Sequence, residues 1–176
     1  METLILKDKE IDNILSKIVK EILAHHLDIK NLVIIGIKKR GIDLARRIQK
    51  KISKIKNVSL PVGALDINLY RDDFKEIFSQ PELKKTEIPF PVKNKDVILV
   101  DDVLFTGRTI RAALDGIIDL GRPRLIRLAV LVDRGHRELP IQADFIGTKL
   151  VTTLSQIVVV SLIEEDGKDE VKLSAL

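Results

Sequence analysis

The 176-residue chain has no cysteine and no tryptophan, and only one tyrosine and one methionine. Without cysteine, disulfides and thiolate metal sites are excluded. The three histidines, His25, His26 and His136, lack the spacing of a ligand set, which argues against a structural zinc centre. Aromatics make up 3% of the chain, so aliphatic side chains must fill the core. No apolar run approaches the roughly 18 residues of a membrane span. The N-terminus, METLILKDKE, is charged from its second residue. The sequence therefore predicts neither a secretory signal nor a membrane span, and a cytoplasmic location.

What is present reads as one globular domain over residues 1–176. Hydrophobic residues are 45% and charged residues 32% of the chain, too apolar for disorder and long enough for an independent core. Net charge is +4, and its distribution is uneven. Residues 1–60 hold 14 Lys+Arg against 7 Asp+Glu, whereas residues 161–176 hold 5 acids against 2 lysines. A basic front half suits an anionic ligand, phosphate or RNA. The plainer reading, a solvated lysine-rich surface, covers most of these lysines.

Apolar periodicity sets the elements. Ile11, Ile14, Leu15, Ile18, Ile22 and Leu23 have helical spacing over residues 8–26, with Asp8 placed to cap the start. Leu32–Ile37, LVIIGI, is a buried strand, and Gly41 opens a second helix through Ile42, Leu44, Ala45 and Ile48. Val58–Leu69 alternates loosely and reads as a strand. Val97–Val100 is a strand, Ile110–Ile118 a helix ending near Gly121, and Leu125–Val132 another strand. Short apolar strands alternating with amphipathic helices predict an α/β fold: a doubly wound, mostly parallel sheet. Residues 133–176 show no clear helix and hold short strand-like runs at 145–146 and 157–163, so they predict a small appended β subdomain, or hood. Residues 70–95, proline-containing and mixed in charge, are long for a connection and predict a lid.

In such sheets ligands sit beyond the carboxyl ends of the strands. Three strand ends here are polar and contain glycine: Ile37-Lys38-Lys39-Arg40-Gly41, Asp101-Asp102 running into Thr106-Gly107-Arg108-Thr109, and Asp133-Arg134-Gly135-His136-Arg137. The middle one is the most specific. Two adjacent acids can accept hydrogen bonds from sugar hydroxyls. The turn's N–H groups and the following helix N-terminus can hold a phosphate.

Residues 97–109, VILVDDVLFTGRT, resemble the phosphoribosyl pyrophosphate signature of the type I phosphoribosyltransferases. Residues 35–48, 66–73, 121–123 and 128–147 extend the likeness to one branch, the pyrimidine operon attenuation regulators that are also uracil phosphoribosyltransferases. The resemblance weakens in residues 1–30 and 148–176. It implies an enzyme that converts uracil and phosphoribosyl pyrophosphate to UMP and pyrophosphate, with Mg²⁺ chelated by the pyrophosphate rather than held directly by the protein. It also implies a homo-oligomer, a dimer or higher.

By position, the resemblance places Asp101 and Asp102 on the ribose hydroxyls and assigns them, with Arg71 from the lid, to catalysis. Lys39 and Arg40 meet the pyrophosphate. Val103, Leu104, Phe105, Thr106, Gly107, Arg108 and Thr109 form the binding segment, with Thr106–Thr109 around the 5′-phosphate. Arg134 is assigned to a uracil carbonyl. Val158 and the backbone of Asp144–Gly147 are assigned to the base pocket wall. Phe105 stands where purine-salvage relatives commonly have an acid, which points from purines to uracil. The branch also implies UMP-dependent binding of leader mRNA through Lys17, Lys20, His136 and Arg137. Gln142 and Thr148 depart from its usual basic residues. The alternative is an RNA-binding regulator with little or no turnover.

Overall fold

The structure is a computed structural model and describes residues 2–25, 28–68, 70 and 86–175. Among the described residues there are two sheets. The first is parallel and five-stranded, in the order β3 (Val62–Leu65), β2 (Leu32–Ile37), β4 (Asp96–Leu104), β5 (Leu125–Asp133), β6 (Phe145–Lys149). Every residue of β2 is buried, as expected for a central strand covered on both faces. Its alternation divides the core. Leu32 and Ile34 join Ile98, Val100, Ala129 and Leu131 on the face covered by α1 (Asp8–Ala24) and α2 (Arg40–Lys56). Val33, Ile35 and Ile37 join Val97, Leu99 and Val130 on the face covered by α3 (Arg108–Leu120) through Ile110, Ala113 and Ile117.

The second sheet is antiparallel, in the order β1 (Glu2–Lys7), β8 (Glu170–Ala175), β7 (Gln156–Ser161). A short helix, α4 (Ile163–Asp166), links β7 to β8. The two ends of the chain thus pair, with Glu2 opposite Ser174 and Lys7 opposite Glu170. Val158, Val160 and Val171 of this sheet are buried against the α1–α2 side of the core.

The doubly wound parallel sheet agrees with the periodicity, and four local expectations change. Residues 133–176 are not one β unit: residues 145–149 complete the parallel sheet, and only β7, α4 and β8 join the small sheet, together with an unexpected N-terminal strand. Among the described residues of the strand expected over 58–69, Val62–Leu65 form β3, which pairs with β2, and Ala64 bridges to Glu87. The lid expected over 70–95 loses its second half. Val92 is fully buried, and Ile88 and Phe90 pack against the α3 side of the core. At the N-terminus, α1 begins at Asp8, and the Glu10 carboxylate, not Asp8, accepts the Lys7 N–H, at 2.8 Å.

Candidate active site

Parallel strands end together, so the loops after β2, β3 and β4 meet at one edge of the sheet. There they enclose a cleft of about 680 Å³. Lys38, Lys39 and Arg40 line it after β2, Asp66, Ile67 and Asn68 after β3, and Asp101, Asp102 and Val103 from β4. Thr109 of α3 and Glu87 complete the wall.

The loop after β2 turns sharply. The Lys38–Lys39 peptide is cis, and α2 starts at the next residue, Arg40. Gly41 packs closely against the end of β4. A Cβ there would lie 2.6 Å from the Val100 carbonyl oxygen and 3.4 Å from Asp101 Oδ1. Only a glycine lets the first turn of α2 sit against the end of β4. Cations and the N-terminal amides of α2 thereby come beside the two acids, an arrangement suited to an anion.

Asp101 is buried and Asp102 half-buried, and their surroundings differ. Asp101 is 6% exposed, and its Oδ1 accepts the Asp102 N–H at 3.0 Å. Burial, and then the neighbouring Asp102 charge, push the Asp101 carboxyl well above the usual carboxylate range. Asp102 is also pushed up by burial, while the Val103 N–H, at 2.8 Å, and the Arg40 charge act in the opposite direction. Two adjacent carboxyls with unequal proton affinity can accept hydrogen bonds from a diol and present negative charge to its ring.

The turn into α3 is braced from behind. Gly107 has φ +92°, a conformation that favours glycine, and caps the helix. The Thr106 carbonyl accepts the Glu138 N–H at 2.9 Å, and Arg108 Nε pairs with Glu138 at 2.5 Å. Arg137 completes the brace. Its guanidinium donates to the carbonyls of Phe105 (2.8 Å), Ile141 (2.9 Å), Gly135 (3.2 Å) and Leu104 (3.4 Å), and pairs with Asp133 at 2.6 Å. Replacing Arg137 with alanine should therefore destabilise the protein by about 2–4 kcal/mol. Thermal unfolding checks this, and an unchanged melting temperature would deny the bracing role.

Lys39, Arg40, Asp101, Asp102, Val103 and Thr109 are thus brought to one cleft as the motifs suggested. Leu104, Phe105, Thr106, Gly107, Arg108, Arg134 and Val158 do not line this cleft. Leu104 is buried in the core on the α3 side. Val158 is packed in the core, not on the cleft wall. Arg134 is 5% exposed, stacks 4.0 Å above the Phe105 ring, and donates to Thr152 Oγ1 (3.3 Å) and the Thr153 carbonyl (2.9 Å). Burial lowers its proton affinity. His136 donates from Nε2 to the Thr152 carbonyl at 2.8 Å and meets Phe105 edge-on. Arg134, Phe105 and His136 therefore form one stack beside the 152–153 backbone. Lys17 and Lys20 are exposed on α1, Lys17 reaching the Ile146 carbonyl at 3.3 Å and Glu21 at 3.7 Å. Arg71 lies outside the described residues, as do residues 72–85 of the expected lid.

Asp66, Asn68 and Glu87 are cleft residues to which the motifs assign no role, and Lys38 belongs to the 37–41 strand end without a role of its own there. Asp66 and Asn68 follow β3 and could have been found by asking what every parallel strand end carries. Glu87 gives no such sign, since it reaches the cleft only by bridging back to Ala64. Among the described residues no group of three or more His, Cys, Asp or Glu could hold a metal ion. The donors in the cleft are oxygens, which suit a hard cation brought in by a phosphate ligand. No helix among the described residues is long and apolar enough to cross a membrane.

Comparison with known proteins agrees with the geometry. The family described as phosphoribosyl transferase domain matches residues 4–165. A protein of Deinococcus radiodurans called bifunctional protein PyrR is 53% identical over 169 residues, 96% of this chain and 92% of its own. The protein of that name from Clostridioides difficile is 50% identical and covers 96% of each chain. Among solved structures, a hypoxanthine phosphoribosyltransferase of Staphylococcus aureus aligns with a TM-score of 0.72 at 18% identity, covering 99% of this chain and 92% of that one. A hypoxanthine-guanine phosphoribosyltransferase of Bacillus anthracis gives 0.74 at 16% identity, covering 99% and 98%. At such identities the structural neighbours speak for the fold alone.

Proposed function

The chain belongs to the phosphoribosyl transferase family, among relatives called bifunctional protein PyrR, and from that premise we propose that it is a uracil phosphoribosyltransferase that also senses UMP to regulate pyrimidine gene expression. The observation that carries the catalytic half is the meeting of Asp101 and Asp102 with the Lys38–Arg40 loop across one cleft. Transfer of a phosphoribosyl group breaks the bond from the ribose anomeric carbon to pyrophosphate and forms one to uracil N1, whose proton is released to solvent. Positive charge develops on the ribose ring as the leaving group takes negative charge. Asp101 and Asp102 hold the two ribose hydroxyls and place negative charge beside the ring. Lys39, Arg40 and the first amides of α2 receive the departing pyrophosphate. The amides and hydroxyls of Thr106–Thr109 hold the 5′-phosphate at the N-terminus of α3. When bound with the pyrophosphate, Mg²⁺ would supply charge neutralisation to its oxygens, carried by the substrate rather than by a protein ligand.

The base side rests on the Arg134–Phe105 stack. Arg134 spends two donors on the 152–153 segment, and its remaining N–H groups suit a pyrimidine carbonyl. Phe105 has no acceptor for a purine ring nitrogen. Supplied with phosphoribosyl pyrophosphate and Mg²⁺, the protein is expected to form nucleotide from uracil and not from hypoxanthine or orotate, as read by product chromatography. Nucleotide from hypoxanthine would overturn the base assignment. Tight UMP binding with no product from any base would favour a regulator with little turnover.

The regulatory half centres on α1. His136 and Arg137 are engaged in internal hydrogen bonds and Lys17 in contacts with Ile146 and Glu21, so Lys20 is the most available of the four for leader mRNA. RNA binding of this kind weakens with salt. A pyrimidine-operon leader RNA should bind more tightly with UMP, and its absence from the protein even at low salt would remove this half. A homo-oligomer completes the proposal, to be read by size-exclusion chromatography with light scattering.

A further inference from the structure

The face of α2 that carries the pyrophosphate loop is gripped by α4 of the small sheet. Arg40 donates Nε to Asp166 Oδ2 at 3.0 Å and Nη2 to Asp166 Oδ1 at 2.9 Å. The carboxylate is itself fixed, since Oδ2 also accepts the Leu162 N–H at 2.9 Å. Two turns along α2, Arg47 is held in the same manner by Glu164 and Asp169, with contacts of 2.5–2.8 Å. Asp169 is in turn fixed by the Ile163 N–H at 2.8 Å. The two arginines differ in one respect. Arg40 lines the cleft, and Arg47, Asp166, Glu164 and Asp169 do not.

A guanidinium has five N–H donors in a rigid plane. Asp166 takes two of them, Nε and one on Nη2, along one edge of that plane. Three donors remain at the other edges. Arg40 and Asp102 both line the cleft, and each feels the other's charge. An arginine on a flexible stem would lose side-chain entropy on meeting a ligand. Held by its inner edge, it has already lost that freedom.

We propose that Asp166 is a positioning residue that aims the free edge of Arg40 at the diphosphate of the substrate. The inference rests on the phosphoribosyltransferase reading above. It gives the small sheet a part in binding the leaving group, through a carboxylate that never touches the ligand. The Arg47 contacts dock the same helix without entering the cleft and serve as the internal comparison.

Calorimetric titration of the full chain with magnesium pyrophosphate, and separately with UMP, tests this. Asp166→Ala should weaken pyrophosphate binding by about tenfold, with UMP affinity unchanged within about twofold. Glu164→Gln combined with Asp169→Asn should lower the melting temperature and leave pyrophosphate affinity at the wild-type value. Where Asp166→Ala fails to fold, Asp166→Asn is read instead, because it keeps one acceptor oxygen for the Leu162 N–H. Pyrophosphate binding by either Asp166 variant that equals or exceeds the wild type overturns the inference. So does equal weakening by the Glu164/Asp169 variant, which would mean that docking of α4 matters and the aim of Arg40 does not. In those cases wild-type product formation still stands. A wild type that binds neither ligand and forms no nucleotide overturns the functional reading, and this inference with it.

Discussion

Asp101→Asn is expected to make the protein more heat-stable at pH 7 while slowing turnover at least about a hundredfold. The two effects share one cause. Asp101 is buried beside Asp102, so folding raises its proton affinity above the ordinary carboxyl value of about 3.9. An acid whose folded pKa exceeds its unfolded pKa opposes folding once the unfolded chain ionises. Below about pH 4 both states are protonated and the penalty is absent. As pH rises above that value the unfolded state releases its proton first, and stability falls until the folded carboxyl ionises as well. An asparagine removes this penalty. Its oxygen still accepts the Asp102 N–H, and its amide faces the Asp102 carboxylate. The catalytic loss follows from removing negative charge where the ribose ring becomes positive. Melting curves of wild type and variant from pH 4 to 8 should diverge as pH rises, with the variant on top, alongside initial rates of nucleotide formation. A variant that melts lower than the wild type at pH 7, or keeps full turnover, contradicts the assignment of Asp101 as a destabilising functional acid.

Gly41→Ala is expected to cost about 3 kcal/mol, a fall of roughly 6–12 °C in melting temperature for a domain of this size. The added Cβ would stand 2.6 Å from the Val100 carbonyl. That oxygen cannot retreat, because Val100 is 1% exposed and its strand is paired to β2 and β5. The other way to relieve the clash is to lift the first turn of α2, which moves Lys39 and Arg40 away from the acids. Pyrophosphate binding should therefore weaken together with stability. Gly135→Ala makes the comparison: Gly135 has φ +74° but nothing within 4 Å of its would-be Cβ. It should cost only about 1–2 kcal/mol, the strain of a left-handed residue. Equal melting temperatures for the two variants would show that the contact with Val100 is not what excludes a side chain at Gly41.

Much of the site was legible because its chemistry is local. Asp101, Asp102 and the Thr106–Thr109 turn lie within nine residues, and Lys39 and Arg40 closely follow a strand. The order of a parallel sheet then brings such ends to one edge. The residues that the sequence could not place are those whose role depends on distant partners. Arg137 looks like an exposed cation next to a histidine, yet its five partners lie at Leu104, Phe105, Asp133, Gly135 and Ile141. Val158 has the same alternating pattern whether it faces a base or a core.

From the sequence alone come the β2, β4 and β5 strands, the three longer helices, the absence of thiol chemistry and the acid-then-turn motif. These rest on periodicity and on residue types that act over one or two turns of chain. Only the tertiary structure decided that Glu2–Lys7 is a strand, that residues 145–149 belong to the main sheet, that Glu87 reaches the cleft and that Asp166 holds Arg40. Each of these depends on a partner far along the chain, such as Ser174 for Glu2 or Asp166 for Arg40, 126 residues away. Pairing at such range is selected by the free energy of the whole packed core and leaves no mark in the local pattern of either partner.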